Sequence, residues 1–176
     1  LFAERLTISL VRDAAGEPSN YIALATDITD LKKYQQELEH RANHDALTGL
    51  PNRVLMADRL RQGMAAVRRG GGMLGVIFLD LDGFKAVNDE YGHDMGDKLL
   101  IEMARDLGEQ LRETDTLARI SGDEFVILLA GLAHEKDAQP IIERLIEVAA
   151  EERLIDGKPI QVTASLGYTF YPQANG

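Results

Sequence analysis

The chain has 176 residues, no cysteine and a formal net charge of −10. That length holds one domain of ordinary size plus an appendage; the missing thiols exclude disulfides and thiolate metal sites and fit a cytoplasmic setting. The acidic balance argues against a nucleic-acid-binding surface, which needs clustered Lys and Arg, and no run of about twenty apolar residues is present to cross a membrane as a helix.

Residues 1–29 alternate and turn. Leu6, Ile8 and Leu10 alternate with Thr7 and Ser9, Asp13-Ala14-Ala15-Gly16-Glu17-Pro18 forms a loop, and Tyr21-Ile22-Ala23-Leu24-Ala25 returns, so the spacing predicts a hairpin. Two strands are too little sheet to stand alone. Asp30 is placed to cap a helix beginning at Leu31, with Leu31, Tyr34, Leu38 and then Arg41 or Ala42 at three-and-four spacing. That stripe suits a helix paired with another copy, and equally one docked on a surface.

Leu47-Thr48-Gly49-Leu50-Pro51-Asn52-Arg53 reads as a turn opening a helix to about Arg69, with Leu55, Leu60, Met64 and Val67 as its buried stripe. Gly70-Gly71-Gly72 breaks it. Residues 75–82 are apolar on both faces, the pattern of a central buried strand, yet the run ends in Asp80 and Asp82. A single helical turn over residues 84–88, a loop through Tyr91-Gly92-His93, and a helix over 94–111 with Leu100, Met103, Leu107 and Leu111 inward come next. Residues 117–129 hold two apolar runs around Ser121-Gly122-Asp123-Glu124, which predicts a hairpin with these four in the turn. A helix over 135–152 then presents Ile141, Leu145 and Val148, and Asp156-Gly157-Lys158-Pro159 turns into a strand over 160–168. Counted from residue 75 the order is strand, helix, strand, strand, helix, strand, an α+β, ferredoxin-like βαββαβ arrangement.

Ionised carboxylates bordering a buried strand are costly unless a cation or strong donors compensate them. Asp80 from one strand end and Asp123 and Glu124 from a hairpin tip can together hold hard divalent ions, which prefer oxygen ligands. This requires the strand end and the tip to be neighbours with their carboxylates facing one cleft. Asp and Gly are also ordinary turn residues, so a solvated hairpin tip is the competing reading.

Ser121-Gly122-Asp123-Glu124-Phe125 differs at one residue from the signature of the GGDEF family of diguanylate cyclases, and three further stretches are similar to that family. They are Asp45-Ala46-Leu47-Thr48-Gly49-Leu50-Pro51-Asn52-Arg53, residues 78–97, and Val162-Thr163-Ala164-Ser165-Leu166-Gly167. Residues 45–176 thus resemble a GGDEF domain without its closing helix and strand, so the chain reads as a fragment that is expected to be inactive by itself. Asp27-Ile28-Thr29 resembles the end of a PAS sensor domain, which makes residues 1–29 a PAS remnant and 30–44 a signalling linker helix. A stray hairpin on the main domain is the plainer alternative.

The resemblance implies a palm-type, nucleotidyl cyclase-like fold; likeness to palm domains is an argument from fold alone. It implies an enzyme that condenses two GTP into cyclic di-GMP and releases pyrophosphate. The active sites face each other across a homodimer, each using two Mg2+ or Mn2+ ions. Asp80, the carbonyl of Leu81 and Asp123 are then the metal ligands, Glu124 the general base, and Lys85 a positive charge on the transferring phosphate. Gly83 and Phe84 offer backbone N–H groups to phosphate, Asn88 and Asp97 read guanine, and His93 adds a nucleotide contact. Gly92 and Gly96 serve backbone geometry. Arg112 and Asp115 match the inhibitory product site. Plainer readings stand beside these: an exposed Lys85, a loop His93 bonded to backbone, and a surface charge pair at Arg112 and Asp115.

The departure is Ser121, where the family most often has Gly. If that position needs positive φ, a Cβ there costs about 1 kcal/mol or more, and Ser121→Gly should keep or raise activity. The reading from a different class is a degenerate GTP- or cyclic di-GMP-binding module that controls a neighbouring domain without turnover.

Overall fold

The alternation of Leu6, Ile8 and Leu10 produces strand β1 (Glu4–Arg12), paired antiparallel with β2 (Pro18–Asp27), in the computed structural model, which describes residues 2–173. The chain divides after Ala42 into two units. In the first, Asp13 closes the hairpin loop by accepting from the N–H groups of Ala15 and Glu17. Helix α1 (Thr29–Asn43) starts two residues earlier than expected. Asp30 therefore sits in its first turn instead of capping it, while the Asp27 carboxylate accepts from Thr29 N–H at 2.8 Å. Leu31, Tyr34 and Leu38 are all exposed, as are Leu6, Ile8, Tyr21 and Leu24. Unit one buries almost no apolar surface of its own.

The second unit is built on one sheet. Helix α2 (Arg53–Gly70) is capped by Asn52, whose side chain accepts from Val54 and Leu55 N–H, and it ends at Gly71 with φ 76°. Strand β3 (Met73–Asp82) follows. The expected single turn after it is a two-turn helix, α3 (Phe84–Tyr91). The expected loop shrinks to Gly92, whose φ of 86° lets α4 (His93–Glu109) start at once. Strands β4 (Thr116–Ser121) and β5 (Glu124–Leu132) form the expected hairpin, but its turn is Gly122 and Asp123 alone: Ser121 and Glu124, expected in the turn, are paired strand residues. A 3-10 turn and α5 (Gln139–Ala150) come next.

The main difference lies after α5. Residues 153–160 fold as a small separate hairpin, β6 (Arg153–Ile155) with β7 (Lys158–Ile160), and the sheet strand β8 (Thr163–Tyr171) begins only at Thr163. Ile160 and Val162 are anchors in the core instead of strand residues of the main sheet.

The sheet order is β4-β5-β3-β8 with every pair antiparallel, the ferredoxin-like order. One face carries Ile77, Leu79, Leu81, Phe125, Ile127 and Leu129 against Leu99, Leu100, Met103 and Leu107 of α4 and Leu145 of α5. The other carries Leu74, Ala118, Val126 and Leu128 against Met56, with Leu60, Met64 and Val67 of α2 partly buried. Strand β3 is central, but only one of its faces is covered along its length: Phe78 is 57% exposed beside Asp80. No helix among the described residues is long and apolar enough to cross a membrane.

Candidate active site

Antiparallel register places Asp80 directly opposite Glu124 of β5 on one side and Ser165 of β8 on the other. Because side chains opposite one another share a face, Asp80 and Glu124 meet on one face, but Asp123, the third acid of the metal reading, does not line the cavity they share. Asp80 and Glu124 line one cavity of about 440 Å³ together with Arg53, Phe78, Ile120 and Gly167. The Asp80 carboxyl is pushed above its ordinary value by desolvation first, then by the charges of Asp123, Glu124 and Asp82. Asp82 is engaged elsewhere: both of its oxygens accept from Ser165 Oγ at 3.0 Å. Asp123 lies in the turn, acting on Asp80 through its charge.

The turn is held from beneath by a pair that sequence reasoning missed. Arg119 Nε donates to the Gly122 carbonyl at 2.8 Å and Arg119 Nη1 to Asp45 Oδ1 at 2.8 Å, with the two side chains only 12% and 24% exposed. Asp45 also accepts from Thr48 N–H and Thr48 Oγ1. Burial pushes the Asp45 carboxyl up, but the Thr48 donors and the Arg119 guanidinium outweigh it and hold it below its ordinary value. The signal was an arginine in phase with the buried Leu117 on a strand, a position that calls for a buried acid.

Ser121 needs no left-handed backbone. Among the described residues the non-glycine with positive φ is Asp156, whereas Gly122 carries the turn's positive φ of 46°. The anticipated Cβ strain at Ser121 is therefore absent, and its hydroxyl donates to Glu124 Oε2 at 2.5 Å.

The remaining residues form a second locus around α3 and α4. Gly83 is left-handed at φ 85° and precedes α3, Lys85 is exposed, and His93 opens α4. A Cβ on Gly96 would stand 2.0 Å from Asn88 Oδ1 and 3.2 Å from Phe84 Cζ. Gly96 thus does more than satisfy backbone geometry: its missing side chain is the space in which the Asn88 amide lies, with Asp97 exposed next along α4. Gly83, Phe84, Lys85, Asn88, His93 and Asp97 are not among the residues lining the Asp80 cavity.

Asp115 is a loop pin as well as a candidate contact. Its Oδ2 accepts from Arg112 N–H at 3.0 Å and its Oδ1 from Ala130 N–H at 3.1 Å, leaving each oxygen one further acceptor position. Arg112 and Asp115 line a separate cavity of about 350 Å³ with Arg59.

A sequence model of the family described as "Diguanylate cyclase, GGDEF domain" matches residues 42–176. The chain belongs to the GGDEF family. It is 43% identical over 144 residues to the bifunctional diguanylate cyclase/cyclic di-GMP phosphodiesterase MucR of Pseudomonas aeruginosa, covering 82% of this chain and 21% of that protein. The solved GGDEF domain of TpbB (YfiN) from the same species matches with a TM-score of 0.71 at 38% identity, over 73% of this chain and 76% of that one. The coiled coil and GGDEF domain of DgcB from Caulobacter crescentus, solved in complex with c-di-GMP, matches with a TM-score of 0.72 at 26% identity, over 81% and 76% of the two chains. This GGDEF chain spans between 21% and 33% of the length of the curated relatives MucR and TpbB.

Proposed function

We propose that this GGDEF domain belongs to a diguanylate cyclase that condenses two GTP into cyclic di-GMP with loss of pyrophosphate, one GTP held by each of two facing copies. The observation that carries this reading is Asp80 opposite Glu124 in the β3–β5 ladder, with the Asp80 carboxyl raised by desolvation first and then by its acidic neighbours. Such crowding of carboxylates is what a divalent cation relieves. Among the described residues no three acidic or imidazole side chains form a ready cage. Mg2+ or Mn2+ at this site would therefore have to complete its shell with water and substrate phosphates.

Asp80, the Leu81 carbonyl and Asp123 are the residues that would hold the ions. When bound, the metals lower the proton affinity of the ribose 3′-hydroxyl and take up charge on the leaving pyrophosphate. Glu124 accepts the proton from the 3′-oxygen as that oxygen attacks the α-phosphate of the opposite nucleotide. Lys85 places positive charge against the phosphates, with the N–H groups of Gly83 and Phe84 beside it. Asn88 and Asp97 bond the guanine edge, and His93 contacts the nucleotide. Residues 1–29 end a PAS sensor, and the exposed Leu31, Tyr34 and Leu38 of α1 pair two copies in the cytoplasm.

Titration of the full-length protein with GTP and ATP, with Mg2+ and with chelator, tests the reading. Metal-dependent, guanine-selective binding is expected; equal affinity for both nucleotides, or indifference to metal, contradicts it.

In the same reading the product binds at Arg112 and Asp115, away from the hairpin carboxylates. Arg112→Ala is expected to weaken cyclic di-GMP binding about tenfold or more without changing stability, because the exposed guanidinium forks onto phosphate or guanine. Asp115→Ala is expected to weaken it too and to cost about 1–2 kcal/mol of stability, since two backbone N–H groups lose their acceptor. Calorimetry on both variants checks this, and unchanged affinity in Arg112→Ala shows a plain surface charge.

A further inference from the structure

We propose that Ser121 is a positioning residue for Glu124, an inference that rests on the cyclase reading for its catalytic consequence. Its hydroxyl donates to Glu124 Oε2 at 2.5 Å. The backbone of the turn does not need this bond. Ser121 and Glu124 are already paired across the hairpin, Gly122 supplies the positive φ, and Arg119 Nε already holds the Gly122 carbonyl. What the hydroxyl fixes is therefore the side chain of Glu124.

The geometry gives that bond a direction. Glu124 lines the Asp80 cavity, and the Ser121 hydroxyl reaches its carboxylate from the strand position opposite it across the hairpin. One oxygen of Glu124 is engaged there while the side chain stays beside Asp80, with which it is paired across the strands. Both Ser121 and Glu124 are exposed, and no packing holds the carboxylate in place. A long, freely rotating acid gains most from one fixed donor, because each rotamer excluded is one fewer unproductive orientation at the moment of proton transfer. Glycine at this position supplies no such donor. The residue that departs from the common signature thus does a task of its own, and the expectation that Ser121→Gly keeps or raises activity is reversed.

The test uses Ser121→Ala, Ser121→Gly and Ser121→Thr in the full-length protein. Ser121→Ala and Ser121→Gly are expected to lower kcat about fivefold with KM for GTP unchanged, since an orientation effect falls on the chemical step. Ser121→Thr, which keeps the hydroxyl, is expected to stay within about twofold of wild type. Independently of turnover, NMR couplings that report χ1 of Glu124 are measured without nucleotide or metal. They should show one rotamer in wild type and Ser121→Thr, and averaging in Ser121→Ala. Averaged couplings in wild type, or couplings unchanged by Ser121→Ala, overturn the proposal whether or not product forms. Equal kcat in wild type and Ser121→Ala overturns its catalytic part. Absent product with the expected couplings sinks the cyclase reading alone.

Discussion

Asp80→Asn and Glu124→Gln are each expected to abolish cyclic di-GMP formation in the full-length protein while leaving the fold intact. The two acids sit opposite one another at the ends of neighbouring strands, exposed to the cleft and outside the apolar clusters. Each amide keeps the size of the side chain and removes one negative charge, so no packing is lost. In the proposed mechanism Asp80→Asn removes a ligand from the ions, and Glu124→Gln removes the acceptor for the 3′-hydroxyl proton; loss of a group used in the chemical step typically costs about 10²–10⁴-fold. Stability moves the other way. Because the folded Asp80 carboxyl is raised, the folded protein binds that proton more tightly than the unfolded chain does. Stability of the metal-free protein therefore falls as pH rises from the ordinary carboxylate value through the raised one. Asp80→Asn should remove that loss, and thermal unfolding without metal should show an equal or higher Tm at neutral pH. A lower Tm in Asp80→Asn would mean that the carboxylate is a structural partner and not part of a cation site.

Gly96→Ala is expected to relax the preference for GTP over ATP nearly as far as Asn88→Ala, about 10- to 100-fold in relative kcat/KM, because a site built to bond one base rejects another through its unpaired polar groups. The added methyl would lie 2.0 Å from Asn88 Oδ1, so the amide must leave its place. That atom is the end of a flexible side chain, and Phe84 Cζ at 3.2 Å needs only a small adjustment, so the helix itself can stay. Loss of selectivity without loss of fold is the expected pair of results, read from competition kinetics and circular dichroism. Retained selectivity in Gly96→Ala would place the guanine contact elsewhere.

Much of this was legible in the chain because periodicity and turn chemistry agree. The apolar run that opens residues 75–82 and the two runs around Ser121 to Glu124 marked a strand and a hairpin, and both form. The ladder then does what the reading required, setting Asp80 against Glu124. Three things were hidden. The second hairpin, β6 with β7, is only three residues per strand, too short for alternation to declare itself. Phe78 reads as buried because it is apolar, but exposure depends on which helix reaches that end of the sheet, a tertiary fact. The roles of Gly96 and Arg119 depend on tertiary contacts, with Asn88 on the preceding helix and with Asp45 some 74 residues away, which no strand or helix periodicity encodes.

The central claim is tested most directly by incubating the full-length protein, dimerised by fusion where needed, with high GTP and Mg2+ or Mn2+, and separating the nucleotides. The account predicts that cyclic di-GMP and pyrophosphate accumulate in a ratio of one to two and that chelator stops both. GTP bound but left unconverted under these conditions would contradict it, and would make the domain a nucleotide-binding regulator of its neighbour.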